Sequence, residues 1–200
     1  MRSVLTDGDR RGARYTAVVV LAAIVVALAF PASAFGREQS VEETYDATVA
    51  AYNQTLNQLE QCSLNFDTFQ QFAKANRPAD GAPKEEWDDW AKAYRLVAET
   101  FVGCMRSLKA KADVLKKKLD DLEKQLDSIS LQDPPARDER DKNDKARKFL
   151  NRAKADLGEW KVGANYKIKL GVEMNRKAAD DYGKHGSGSV KIEIRIQVSF

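Results

Sequence analysis

The 200-residue chain holds one histidine, His185, and two cysteines, Cys62 and Cys104. Zinc sites are built from clustered Cys and His ligands at short spacings, and this chain does not supply them. A histidine acid–base relay needs partner groups around it, whereas His185 stands alone in a Gly/Ser-rich stretch. The cysteines lack the C-x-x-C spacing of thiol redox chemistry. No glycine loop of the phosphate-cradling kind is present. The acidic stretch Arg137–Asp144 alternates with bases and lacks the calcium-loop arrangement. An excess of one charge sign is missing too: Lys and Arg number 33 against 30 Asp and Glu. A nucleic-acid binder shows an uncompensated basic face, so no nucleic-acid partner is expected. The base-rich run Lys145–Lys154 reads as a solvated helix face. With no acid/base, nucleophile or ligand set, the chain is expected to be non-enzymatic, with no cofactor, metal or small-molecule substrate.

Long apolar runs are scarce as well. The single one, Tyr15–Phe30, spans 16 residues, short of the roughly 20 that a helical span needs. Arg10, Arg11 and Arg14 precede it, and Pro31 with the small-residue pattern Ala32-Ser33-Ala34 follows. This is the three-part layout of a secretory signal peptide over residues 1–34, with cleavage expected after Ala34. An uncleaved anchor helix is the alternative. Removing residues 1–34 leaves 29 bases against 28 acids. Export to an oxidising compartment makes a Cys62–Cys104 disulfide the expected pairing. The pair has its midpoint at residue 83, within the helix break that runs from Asn76 to Pro83.

Proline is rare, and beyond Pro31 it marks helix breaks: Pro78 and Pro83, then Pro134 and Pro135. Between the breaks the apolar spacing predicts helices over about 40–76, 83–131 and 140–158, within a coiled-coil region spanning 35–160. Ser40 and Glu43 form a capping-box signature at the first start. The first helix carries an apolar stripe of Tyr45, Val49, Tyr52, Leu56, Leu59 and Phe66. The second carries Trp87, Ala91, Tyr94, Ala98, Phe101, Met105, Leu108, Ala112, Leu115, Leu119, Leu122, Leu126 and Ile129 in alternating steps of four and three. That period winds helices into left-handed coiled coils. It fits pairing within the chain and pairing between copies equally well. Trp87 and Trp90 are candidate partner-binding aromatics, the plainer reading being packing against Phe69 and Phe72 at the hairpin tip.

Apolar residues occupy every even position from Trp160 to Met174 and again from Val190 to Phe200. Alternation of that kind marks strands with one apolar face. The expected fold is therefore mainly α, a long helical-hairpin and coiled-coil region followed by a two-stranded antiparallel β-hairpin over 160–200. Tyr166, Ile168, Leu170, Val172, Ile192, Ile194, Ile196, Val198 and Phe200 would form a membrane-facing or partner-facing surface. Val190–Phe200 resembles the C-terminal signal of outer-membrane β-barrel proteins, which end on an aromatic residue after alternating apolar positions. That resemblance implies a membrane location, with each chain donating its hairpin to a shared barrel, since two strands alone leave open edges.

These features point to an exported structural or scaffolding component of a cell-envelope assembly. It would oligomerise through its coiled-coil helices, with a second copy or an envelope protein as partner. An oligomeric outer-membrane channel or anchor is one alternative. A periplasmic holdase is another: the layout loosely resembles Skp-type chaperones, departing from them in having both strands after the helices. The expected location is the periplasm or outer membrane in a Gram-negative-type bacterium, and the exterior otherwise.

Overall fold

The computed structural model describes residues 40–130 and 137–200. The expected signal segment lies outside them, as does the Pro134–Pro135 break. Three helices make up the fold: α1, Val41–Ala75; α2, Lys84–Ser130; and α3, Arg137–His185. Ser40 caps α1 as its sequence indicates. Its Oγ accepts from the Glu43 amide at 3.2 Å, and its own amide donates to Glu43 Oε2 at 3.1 Å.

α1 and α2 run antiparallel in one register. Thr48 approaches the Lys118 carbonyl, Thr55 approaches the Lys111 carbonyl, and Cys62 is bonded to Cys104; all three pairs are centred on position 83. α3 returns antiparallel to α2, placing Tyr182 at Asp88, Lys154 at Glu123 and Arg147 at Asp127. It lies parallel to α1 at a constant offset of 104 residues, through Tyr52–Asp156, Ser63–Lys167 and Arg77–Asp181. The result is an up-down-up bundle. At about 1.5 Å per residue, the 47 residues of α2 run for about 70 Å.

The α2 stripe from Trp87 to Leu126 is buried by the chain's own helices. Its packing falls into two clusters. The first joins Cys62, Phe66 and Phe69 of α1 to Trp87–Leu108 of α2 and Ala164–Tyr182 of α3. The second joins Ala51 to Leu115, Leu119, Leu122 and Leu126, and to Ala146, Leu150, Ala153 and Leu157. On α1 the buried line is Thr44, Thr48, Ala51, Thr55, Cys62, Phe66 and Phe69; as far as Thr55 it runs one position before the apolar stripe read from sequence, and it meets that stripe at Phe66. Thr48 and Thr55 donate their hydroxyls to the carbonyls four residues back, at 2.6 and 2.8 Å, while the same hydroxyls lie 3.4 Å from the Lys118 and Lys111 carbonyls of α2. The stripe residues Tyr45 and Tyr52 turn towards α3, where they meet the Phe149 ring edge-on at 5.4 and 5.6 Å.

The expected β-hairpin is absent: no strand occurs among the described residues. Residues 160–185, read as strand and loop, continue α3. Its buried positions are Ala146, Leu150, Ala153, Leu157, Ala164, Ile168, Gly171, Asn175, Ala178 and Tyr182. With half-buried Trp160 between Leu157 and Ala164, every step is four or three, and the two consecutive fours at 160–164–168 form a stutter. The even-position pattern placed Val162, Tyr166 and Val172 on one face with Ile168, yet they are 72%, 63% and 45% exposed while Ile168 is buried. The true inner line includes Gly171 and Asn175, which carry no apolar signal.

Residues 190–200 are extended but unpaired with any strand. Their alternation is genuine. Ile192 is buried, Val190, Ile194, Ile196, Val198 and Phe200 are half-buried, and the odd positions are exposed. The segment is a strap that runs back along α3 between α2 and α3, so its apolar face meets helices where the sequence pattern implied a second strand.

Candidate interaction surface

The nine residues expected to form one outward face divide in two. Tyr166 and Val172 are exposed on α3, and Ile168 is buried there beside half-buried Leu170. Ile192, Ile194, Ile196, Val198 and Phe200 pack into the bundle. The strap face is therefore an internal interface. What remains outside on α3 is Val162, Tyr166 and Val172. Period two put Val162 on one face with Ile168, whereas the helix separates the two. Among the described residues no helix is long and apolar enough to cross a membrane.

The strap's backbone is held by side chains. The Val190 amide donates to the Tyr182 hydroxyl at 3.0 Å, and Arg95 Nη1 donates to the Lys191 carbonyl at 3.3 Å. Asn175 Nδ2 donates to the Ile194 carbonyl at 3.1 Å, and the Phe200 amide donates to Asn165 Oδ1 at 3.2 Å. Where the strap leaves α3, Asp88 of α2 gathers the turn. Its carboxylate accepts from Tyr182 Oη at 2.7 Å, Ser187 Oγ at 2.6 Å, the Ser187 amide at 3.1 Å and Ser189 Oγ at 3.1 Å. Hydrogen bonds from Ser187, then Tyr182, hold the Asp88 carboxyl well below the usual carboxylate range. Gly186 packs so closely on Tyr182 that any Cβ there would overlap the ring. Gly188 turns the chain at φ 80°.

Trp87 and Trp90 are buried, at 0% and 6% exposure. Trp87 stacks on His185 with ring centroids 4.8 Å apart, and the Arg77 guanidinium lies 5.1 Å from its centroid. Trp90 meets Tyr94 at 5.3 Å, and Tyr94 meets Phe69 edge-on at 5.4 Å. These aromatics belong to the hairpin-tip core and present no surface hot spot. Burial pushes the Tyr94 hydroxyl far above its ordinary range.

Cys62 and Cys104 form the expected disulfide, with Cα atoms 5.5 Å apart. Gln58 lies over it, its Nε2 3.2 Å from Cys104 Sγ, and Ser107 Oγ donates to Gln58 Oε1 at 3.2 Å. A crevice of about 300 Å³ opens beside the bridge, lined in part by Leu59, Met105, Trp160 and Lys167. A second hollow of about 560 Å³ lies where α1 and α3 begin, between Tyr45, Ile129 and Lys145. In the crevice beside the bridge, Lys167 Nζ donates to Ser63 Oγ at 2.6 Å. Among the described residues no group of three or more His, Cys, Asp or Glu side chains is placed to hold a metal ion. No protein-family model, no curated protein and no solved structure matches the chain.

Proposed function

We propose that the chain is an exported, non-enzymatic structural module of a cell-envelope assembly, a stiff disulfide-stapled spacer. The observation that carries this reading is the Cys62–Cys104 bridge, which ties α1 to α2 in the register centred on residue 83. Such bridges persist in oxidising compartments and are rare in reducing ones. A bundle about 70 Å long, with its helices packed along their length and two of them cross-linked, suits holding partners apart.

The means of association differs from a shared coiled coil. The α2 stripe is consumed inside one chain, so contact with other molecules falls to the outer faces or to the strap. The shared-barrel reading required a hairpin, and the holdase layout required a β body. With residues 160–185 helical, neither is carried forward. The test is thiol trapping in intact cells expressing the full chain. After acid quenching, a polyethylene-glycol maleimide should add no mass until reductant is supplied. Ready modification before reduction would place the chain in a reducing compartment and sink the export reading.

A further inference from the structure

The 190–200 strap is held along both its backbone and its apolar side chains. Its backbone polar groups meet Arg95, Asn165, Asn175 and Tyr182, four side chains of α2 and α3 that touch main-chain atoms. Its apolar side chains enter the bundle at every second residue. Main-chain contacts with pockets for alternate side chains are how proteins bind extended peptides in general. The groove is also shaped for such an occupant. A Cβ at Gly171 would stand 2.9 Å from Phe101 Cε1 and 3.7 Å from Ile196 Cδ1, so glycine there lets the Phe101 ring and the strap share one space. Asn175 is 5% exposed inside α3, and the contact its side chain makes is with the strap's Ile194 carbonyl. A buried amide on an inner helical line costs stability unless it is hydrogen-bonded; the strap satisfies its Nδ2, while its Oδ1 has no hydrogen-bond partner.

We infer that the groove between α2 and α3 is a binding site for an extended peptide with aliphatic side chains at alternate positions, and that its occupant in trans is the 190–200 strap of a second copy. The inference rests on reading the chain as part of an assembly, and it names the partner. A second copy is the occupant favoured because each copy carries both halves of the complementary pair. Every contact made within one chain can be remade between two, and only the hinge changes. The hinge is short and glycine-containing, Gly186–Ser189, with Gly188 already at φ 80°. No backbone ladder has to break when the strap leaves, since residues 190–200 pair with no strand. The Asp88 cluster sets how readily it does so.

Paired chains, each with one cysteine added beside the native Cys62–Cys104 bridge, test this. The Phe200 amide lies 3.2 Å from Asn165 Oδ1, so Asn165→Cys in one full-length chain and Phe200→Cys in another meet only if a strap crosses between copies. The two chains are co-expressed, mildly oxidised and run without reductant. A covalent dimer several-fold above that of either variant alone supports exchange, and Asp88→Ala should raise the yield several-fold again. The double variant in one chain should lock within itself, which establishes that the two positions can bond. A mixture with no dimer above the single-variant controls, while the double variant locks, overturns the inference. Should a cysteine variant fail to fold, a fluorescent peptide of residues 189–200 added to the unmodified chain decides the same question. Saturable binding that is stronger with Asp88→Ala supports the inference, and no binding overturns it. The cross-link reads exchange alone, whereas the scaffold reading depends on thiol state in cells, so each can fail separately.

Discussion

Asp88 sits at the join between α2, the end of α3 and the strap, accepting hydrogen bonds from Tyr182, Ser187 and Ser189. Because its folded pKa is depressed, the stability it contributes is fully present above the unfolded carboxylate value of about 3.9. That contribution is lost as pH falls through the lower folded value. Asp88→Asn should therefore melt below the unaltered chain at neutral pH, and the gap should close as the buffer is taken below about pH 4, the unfolded carboxylate range. A gap constant from pH 7 to pH 2 would mean that packing, rather than the carboxylate, holds the turn. Gly171 makes a second prediction at this scale. Glycine to leucine gains about 1 kcal/mol of helix propensity, but overpacking against Phe101 and Ile196 costs roughly 1–3 kcal/mol. The steric cost should win, because a side chain larger than a methyl must displace the strap itself. Thermal melting reads the net loss, and faster exchange at the Phe200 amide, which donates to Asn165 Oδ1, reads the displacement.

α1 and α2 were legible because their signals are local: the Ser40–Glu43 box, the prolines at 78 and 83, and an apolar step that never slips. The cysteine pairing followed from the same arithmetic, since a hairpin centred on residue 83 sets Cys62 against Cys104. α3 was less legible. After Leu157 its inner line runs through Ala164, Gly171, Asn175 and Ala178, small or polar residues chosen by close approach to α2 and the strap. Val162, Tyr166 and Val172 meanwhile put apolar side chains on the solvent face. A pattern count weighs hydropathy and cannot see proximity, so period two outscored a helix with a stutter. On α1 the same blindness hid the threonine line, in which the Thr48 and Thr55 hydroxyls bond to the helix's own carbonyls. Two changes test the packing that resulted. Leu122→Ala, at a site with 0% exposure, should cost about 2–5 kcal/mol. Replacing both cysteines with alanine should cost about 4 kcal/mol in the chain-entropy account, for a bridge of sequence separation 42. Chemical denaturation measures both, and a disulfide effect under about 1 kcal/mol would mean that α1 and α2 keep their pairing in the unfolded chain.

Along the bundle's length, stabilising devices are unevenly shared. The half containing the first cluster has the disulfide, the aromatic stack around Trp87, Trp90 and Tyr94, the Arg77–Asp181 ion pair at 2.9 Å, and the strap as a fourth element. The half containing the second cluster relies on leucine and alanine packing between three helices, with the Tyr45–Phe149–Tyr52 contacts at one side. Its cross-helix ion pairs, Lys142–Glu42, Arg147–Asp127 and Lys154–Glu123, involve substantially exposed partners, and pairs of that kind add little. Local opening follows such differences, since segments with fewer buried contacts and no cross-link open at lower free energy than the whole. Native-state hydrogen exchange should therefore show Leu115–Leu126 and Ala146–Leu157 exchanging ahead of Phe66–Phe69, Ala91–Met105 and Ala164–Ile168. α2 passes through both halves, so the boundary should fall inside that one helix, between Leu108 and Leu115. Reducing the disulfide removes the cross-link from the protected half alone, and the two sets of rates should then draw together. If all three helices exchange at one common rate before and after reduction, the bundle opens as a single unit, and the uneven distribution of cross-links has no dynamic consequence.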